Sequence, residues 1–193
     1  LPYLIHSMQQ MGEQGIGAKQ GRFDLLTVWV EKNLGGEDWV QTYLKEEGRL
    51  QPPLSTQVVI PTAPAAVRLV FKTAFRAQQG GRFMHETAFD LPSFMMGLVR
   101  RLSLLSAYHG HERLAVDFKA LRTQAQALVA QDIEFKRFAW TRYSSRQQCL
   151  IDMDGLLGGF SLSGEAWQVF CPWLWWGQWV HVGKGAVMGQ RQY

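Results

Sequence analysis

The chain has 193 residues, which is enough for one large domain or two small ones. An apolar fraction of 47% supports a buried core and excludes an intrinsically disordered chain. The formal net charge of +4 makes the chain mildly basic, which permits a polyanionic partner but does not require one. No apolar run reaches the roughly 18 residues of a membrane-spanning helix, so no membrane segment is predicted.

Cys149 and Cys171 show no metal-ligand spacing. We expect both thiols to be reduced, as in a cytoplasmic protein, with a single disulfide between them as the alternative. The chain begins at Leu1 without a methionine, which suggests a fragment, a processed chain or an excised domain.

The first part of the chain predicts a small α+β unit. Helical spacing over residues 1–12 predicts a helix that Gly12 ends. The apolar run at 23–30 predicts a buried strand, whereas residues 39–44 form an element of undecided type. Residues 46–64 hold four prolines and predict a linker.

Residues 67–76 give the clearest strand. One face carries Val67, Leu69, Phe71, Thr73 and Phe75, and the other carries Arg68, Val70, Lys72, Ala74 and Arg76. Arg68, Lys72 and Arg76 share one face of it. Such a face is either a solvated sheet surface or a rim that tracks phosphates.

The later elements alternate between helices and strands. Asp90 is expected to cap the first helix, which carries Arg100 and Arg101 at the edge of its apolar stripe and ends at Gly110. The pattern then predicts a helix at 116–131, strands at 135–143, 149–153 and 156–162 with a break at the glycines 158–159, a tryptophan-rich helix at 167–176 and a short last strand at 190–193.

From residue 67 onward this order is βαββαβ with one extra helix, the ferredoxin-like (RRM-like) arrangement of an α+β domain. We expect residues 1–52 to end a first, incomplete ferredoxin-like unit, 53–66 to be a linker, and 67–193 to be the C-terminal domain. Because ferredoxin-like folds host many functions, the function must be argued from a site.

A glycine-rich loop follows the tryptophan-rich helix. Glycines at 183, 185 and 189 let backbone N–H groups approach a phosphate, and Lys184 adds a positive charge. The spacing of the glycines and the residue after the lysine exclude a Walker A motif. The alternative is a tight helix-to-strand turn without a ligand.

A second candidate site combines Arg142, Tyr143, Ser144, Arg146 and Gln147 beside a strand end. Arginine side chains suit phosphates, and an aromatic ring offers a stacking face. The alternative is an exposed polar hairpin.

Histidine is the remaining candidate for chemistry, since a lone histidine can act as general base in RNA cleavage. His109 and His111 lack a cysteine or carboxylate at ligand spacing, so no metal site is predicted. The sequence alone pairs none of the five histidines with a tyrosine and a lysine.

Three stretches, taken in order, carry a resemblance to a known family. The chain resembles the CRISPR repeat-processing endoribonucleases of the RAMP superfamily in LPY with GEQGIGAKQGRF, in VRLVFKTAFRAQQGGRF with LPSFMMGLVRRLSLLSAYHG, and in RYSSRQQCLIDMDGLLGGFSLSG with HVGKGAVMG. The resemblance implies a two-lobed RNA-binding protein. Its relatives cut the CRISPR repeat of pre-crRNA without metal or cofactor, leaving a 2′,3′-cyclic phosphate and a 5′-hydroxyl, and other CRISPR-associated proteins are further expected partners.

The resemblance also assigns site residues. No catalytic residue is assigned, because the family's N-terminal half, where its catalytic histidine commonly sits, is not in this chain; the candidates within it are His111 and His181. The family's second glycine after Gly189 is absent here, where Gln190 and Arg191 follow. The expected RNA-binding residues are Arg142, Ser144, Arg146, Gln147, Gly183, Lys184, Gly185 and Gly189.

Two other functions compete with the endoribonuclease. One is a non-catalytic RAMP-type subunit that holds guide RNA in a CRISPR effector complex. The other is a structural interaction module whose eight tryptophans mark a partner surface. A chain continuing past Tyr193 would indicate a fusion to another CRISPR enzyme.

Overall fold

The computed structural model describes residues 1–51, 56–76, 78–79, 82–83 and 88–183. The chain divides into two compact units, Leu1–Ile60 and Pro61–Tyr193. The finer division at residues 52 and 66 stays a prediction. No helix within the described ranges is long and apolar enough to cross a membrane.

The first unit packs one helix with a small antiparallel sheet. Its strands lie in the order β1-β2-β3, and the phenol of Tyr43, which is buried, accepts a hydrogen bond of 2.6 Å from the side chain of Gln9. The elements are α1 (Pro2–Gln14), β1 (Thr27–Glu31), β2 (Trp39–Leu44) and β3 (Arg49–Leu50).

Three predictions for this unit were wrong in detail. Gly12 does not end α1: it is buried inside the helix, where a Cβ would lie 2.2 Å from the carbonyl oxygen of Phe23, and the helix continues to its cap at Gly15. The strand predicted at 23–30 begins only at Thr27. Residues 49–50, placed in the linker, pair with β2 because tertiary pairing outweighs local composition.

The second unit holds most of the secondary structure. Its elements are β4 (Ala66–Phe75), β5 (Gln78–Gln79), β6 (Arg82–Phe83), α2 (Leu91–His109), α3 (Phe118–Gln126), β7 (Gln131–Phe138), β8 (Thr141–Ser144), β9 (Cys149–Asp152), β10 (Gly155–Ser163), a 3-10 helix (Gln168–Phe170) and α4 (Cys171–Val180).

The main sheet of this unit has the order β4-β10-β7, and both pairs are antiparallel. β4 and β7, which α2 and α3 connect, therefore run in the same direction with β10 between them. This is the split β-α-β topology of a ferredoxin-like fold. The predicted α+β, ferredoxin-like fold class is confirmed, while the last predicted strand, at 190–193, lies outside the described residues.

Helices α2 and α4 cover one face of the sheet. Phenylalanines from strands and helix meet there, with the rings of Phe71 and Phe75 stacked at 4.7 Å between centroids. Trp167 is buried in the same core, whereas Trp29, Trp39 and Trp179 are more than a third exposed. The central buried residues are Leu69, Phe71, Phe75, Phe94, Met95, Leu98, Leu102, Phe160, Leu162, Trp167, Phe170 and Leu174.

The predicted boundaries around β7 and α4 need correction. The helix predicted at 116–131 ends at Gln126, since Gln131 already pairs with Ser161 of β10. The strand predicted at 135–143 is divided between β7 and β8. The tryptophan-rich helix begins at Cys171 rather than 167.

The glycine pair predicted to break the strand at 158–159 instead lies inside β10. A Cβ on Gly158 would approach the carbonyl oxygen of Glu134 to 1.8 Å, and one on Gly159 would approach that of Leu69 to 2.1 Å. The absence of side chains lets the two flanking strands come close, and a register shift of the bulge type accompanies it.

Candidate nucleic-acid interface

The arginine-rich motif forms a separate hairpin, β8 and β9. Arg142 pairs with Ile151, and Ser144 with Cys149. The connecting turn requires positive φ at Gln148, which adopts +52°. The hairpin thus presents the motif at its tip, as the sequence pattern predicted for an exposed polar hairpin.

Hydrogen bonds within the motif fix the shape of the turn. The buried Ser144 hydroxyl accepts a bond of 3.2 Å from the backbone N–H of Gln147. The Tyr143 hydroxyl donates to Oε1 of Gln148 at 2.8 Å, and that amide donates to the carbonyl oxygen of Ser145 at 2.6 Å. Ser144 and the Gln147 backbone therefore shape the turn, which leaves Arg142 and Arg146 to face a ligand.

Arg142 and Arg146 are exposed and line a shallow cavity of about 450 Å³ with other residues of the motif. No carboxylate within the described part of the chain pairs with either guanidinium. Tyr143 is 55% exposed. Two unneutralised guanidinium groups beside an exposed aromatic ring suit an RNA strand.

Arg76, predicted to share an exposed face with Arg68 and Lys72, is instead buried at the base of this hairpin. Its guanidinium donates to the carbonyl oxygens of Asp152 at 2.7 Å and Asp154 at 2.9 Å. Burial lowers the pKa of Arg76, and the nearby carboxylates of Asp154 and Asp152 oppose that shift. The side chain anchors β9 to the end of β4, a long-range contact that strand periodicity does not reveal.

The other two cations of that face differ from each other. Arg68 forms an ion pair of 2.6 Å with Glu134, and only Lys72 remains an exposed cation without a described partner. The predicted phosphate-tracking rim of three cations is therefore not present on β4.

A second ion pair lies next to the anchor. Arg137 of β7 donates through Nε to a carboxylate oxygen of Asp154 at 3.0 Å. This bond lowers the pKa of Asp154, with burial acting in the opposite direction. Asp154 is thereby engaged in structure, and no cluster of three potential metal ligands occurs in the described ranges.

The glycine-rich loop begins where α4 ends. The backbone N–H of His181 donates to the carbonyl oxygen of Gly177 at 2.8 Å, Val182 is buried, and Gly183 adopts φ of +99°. Lys184, Gly185 and Gly189 lie outside the described residues, so their roles stay predictions.

Arg101 of α2 holds this starting point in place. Its Nε donates to the carbonyl oxygen of Val180 at 2.6 Å, the last residue of α4. The sequence placed Arg101 only at the edge of an apolar stripe, because nothing local pairs residue 101 with residue 180.

The topology places the arginine hairpin at one end of the main sheet. β4 ends there at Phe75, the following Arg76 donates to the carbonyl oxygen of Asp152 in β9, and β10 begins there directly after the hairpin.

Comparison with known proteins identifies the family of the chain. The family model of the CRISPR-associated endoribonuclease Cas6 matches residues 67–193, about two thirds of the chain. The chain belongs to the Cas6 family. A second family model, described as an N-terminal domain, matches residues 1–55. None of the curated proteins compared with the chain matches it.

Solved Cas6 structures are similar only at a distance. A Cas6 product complex is 12% identical with a TM-score of 0.46, covering 67% of this chain and 50% of the other. A Cas6-RT-Cas1–Cas2 complex is 17% identical with a TM-score of 0.45, covering 68% and 14%. Thermus thermophilus Cas6 is 14% identical with a TM-score of 0.42, covering 63% and 49%. The chain therefore spans half or less of the length of these Cas6 chains.

The two candidate histidines of this Cas6-family chain differ in environment. His111 is exposed in the segment after α2. His181 is partly buried, its Nδ1 has no hydrogen-bond partner among the described residues, and burial together with the charge of Arg101 lowers its pKa. His181 follows Val180, which accepts a hydrogen bond from Arg101 of α2. His111 follows the end of α2 at His109, which lies about 12 Å along the helix from Arg101. The structure therefore does not bring the two histidines into one site.

Proposed function

We propose that this chain binds the stem-loop (hairpin) of CRISPR repeat RNA and takes part in the endonucleolytic processing of that RNA. The observation that supports the proposal most strongly is the hairpin itself, on which Arg142 and Arg146 are exposed without a carboxylate partner among the described residues. Arg142 and Arg146 contact phosphates of the repeat, and Tyr143 offers a ring for a base. Gly183 opens the loop, in which Lys184, Gly185 and Gly189 approach the RNA backbone.

The reaction we propose for the complete protein needs no metal. The 2′-hydroxyl of one nucleotide attacks the adjacent phosphorus, and the bond from phosphorus to the 5′-oxygen breaks. A base accepts the 2′ proton, an acid protonates the leaving oxygen, and a cation stabilises the charge that develops on the phosphoryl oxygens. The products are a 2′,3′-cyclic phosphate and a 5′-hydroxyl. The base stays unassigned, with His111 and His181 as the candidates in this chain.

The test uses end-labelled CRISPR repeat RNA in EDTA, incubated with this chain alone and with the chain joined to whatever sequence precedes it in its gene. A single cut that leaves a cyclic phosphate supports the endoribonuclease. If His111→Ala or His181→Ala alone abolishes cutting by this chain, that histidine is the base. Binding without cutting by either protein supports the guide-holding subunit, and no specific binding overturns the proposal.

The proposed setting follows from the proposed substrate. CRISPR transcripts are made in the cytoplasm, where the chain would meet them together with other CRISPR-associated proteins. Co-purification of processed CRISPR RNA with the tagged chain tests this setting. If the RNA bound to the chain contains no processed CRISPR RNA, the proposed setting is contradicted.

A further inference from the structure

A groove of about 770 Å³ runs between α2 and α3, away from the hairpin motif. The beginning of α2 forms one wall, and α3 forms the other. Its lining combines a small apolar floor with cationic side chains; the residues that matter here are Asp90, Gly97, Arg100, Phe118, Lys119 and Arg122.

The groove carries a net positive charge. Arg100, Lys119 and Arg122 are exposed, and no carboxylate among the described residues forms an ion pair with them. The one carboxylate of the lining, Asp90, accepts a hydrogen bond from the Ser93 hydroxyl. Three free cations against one engaged carboxylate favour a polyanion over a neutral or cationic ligand.

An aromatic ring stands at the wall of the groove. Phe118 is the first residue of α3 and remains 45% exposed. Asp117 fixes its position, since that carboxylate caps the helix by accepting a bond of 2.9 Å from the N–H of Ala120. A cationic groove with an exposed aromatic ring is the combination that binds single-stranded nucleic acid, through phosphate contacts and base stacking.

The groove also lies close to the end of α4. Gly97 lines it, and a Cβ at Gly97 would lie 3.6 Å from Cγ2 of Val182, the residue before Gly183. Arg101, one turn further along α2, binds the end of α4.

We propose that the α2–α3 groove binds the single-stranded segment that flanks the stem of the repeat RNA. This inference rests on the proposed function, because it names a second contact for the same substrate. Arg100, Lys119 and Arg122 contact phosphates of the flank, and Phe118 stacks on one of its bases.

The experiment measures the affinity of the full chain for three RNAs: the repeat stem-loop alone, and the stem-loop with about eight nucleotides added at its 5′ or its 3′ end. The test variants are R100Q/K119Q/R122Q and F118A. The matched controls are K19Q/R22Q/R49Q, which removes the same charge from exposed positions of the first unit, and Y108A, which removes an exposed ring from the far end of α2.

We expect one of the extensions to raise affinity about tenfold, and R100Q/K119Q/R122Q to abolish that gain while leaving the stem-loop affinity unchanged. The salt dependence for the extended RNA should fall by about two in log–log slope, from three lost single-strand contacts. F118A should lower affinity for the extended RNA roughly five- to tenfold.

Each failure has a separate meaning. If the stem-loop itself is not bound, the proposed function fails. If the stem-loop is bound but neither extension adds affinity, or if test and control variants behave alike, the groove does not bind the flank. Equal losses on the stem-loop alone and on the extended RNA would place the stem in the groove and overturn this inference.

Discussion

Arg76 shows how a single side chain positions a binding element that it does not belong to. From its position directly after β4, Arg76 donates to the backbone carbonyls on both sides of Met153, and its Nη1 lies 3.2 Å from the sulfur of that residue. These contacts fix the point where β9 leaves the core. The arginines of the hairpin thus depend on Arg76 for their placement relative to the sheet.

Replacing this anchor should destabilise the second unit. We expect Arg76→Met to lower the free energy of unfolding by about 2–4 kcal/mol, because two charge-assisted hydrogen bonds from the buried Arg76 guanidinium to backbone carbonyls are lost. Urea denaturation measures this free energy of unfolding. Lys72→Met, on the exposed side of the same strand, is the control and should change stability by less than about 0.5 kcal/mol. Equal stability of the two variants would contradict the anchoring role.

His181 gives a pH-dependent prediction. Its folded-state pKa is lowered below 6.5 by burial and by Arg101, so the folded protein favours the neutral ring. Stability is therefore complete above about pH 6.5 and declines as pH falls toward the lowered value, where the unfolded chain binds the extra proton. Between about pH 7.5 and 5.5, the Tm of wild type should drop more than that of His181→Asn.

Asparagine suits this test because it removes the titrating imidazole and keeps a polar side chain at residue 181. His6→Asn, at an exposed position of α1, is the control and should keep the wild-type profile. If His181→Asn and wild type lose the same Tm over this interval, His181 is not buried as described.

At the scale of elements, the close approach of β4 to β10 depends on a missing side chain. We expect Gly159→Ala to destabilise the protein by at least about 2 kcal/mol, because its Cβ would meet the Leu69 carbonyl oxygen at 2.1 Å. Gly21→Ala is the matched control, with its nearest atom at 3.8 Å. Thermal unfolding followed by circular dichroism checks both, and a G159A variant as stable as G21A would refute this packing.

Local periodicity accounts for the elements that the sequence predicted well. The alternation in β4 and the apolar stripe of α2 are properties of one segment, so both were found with nearly correct ends. The division of the predicted strand 135–143 and the early start of β7 depend on pairing with β10, whose position the segment itself does not encode. The same applies to Gly12, whose close neighbour Phe23 lies outside its helix.

The candidate site was predictable only in part, for the same reason. The arginine motif and the glycine-rich loop stand out as sequence patterns, whereas their anchors do not. Arg76 and Asp154 are 78 positions apart, and Arg101 and Val180 are 79 apart. A pairing across such a distance requires the fold, which the sequence provides only as an order of elements.

At the scale of the whole molecule, the ferredoxin-like topology of the second unit explains where the arginine hairpin lies. Strand β10 lies between β4 and β7, and the hairpin falls at the end of the sheet where β10 begins. The described surface at that end carries arginines without acidic partners on the hairpin. Binding of the repeat should therefore depend on the hairpin arginines and weaken as salt increases.

The measurement that tests this account most directly is the affinity of wild type and of R142A/R146A for the CRISPR repeat stem-loop, with a scrambled RNA of equal length as reference. We predict that wild type binds the repeat more tightly than the scrambled RNA. The variant should bind the repeat at least about tenfold more weakly than wild type, since each lost charge-assisted contact costs about 1.5–3 kcal/mol. The Tm of the variant should equal that of wild type. Equal affinity of variant and wild type, or equal binding of repeat and scrambled RNA, would contradict the account.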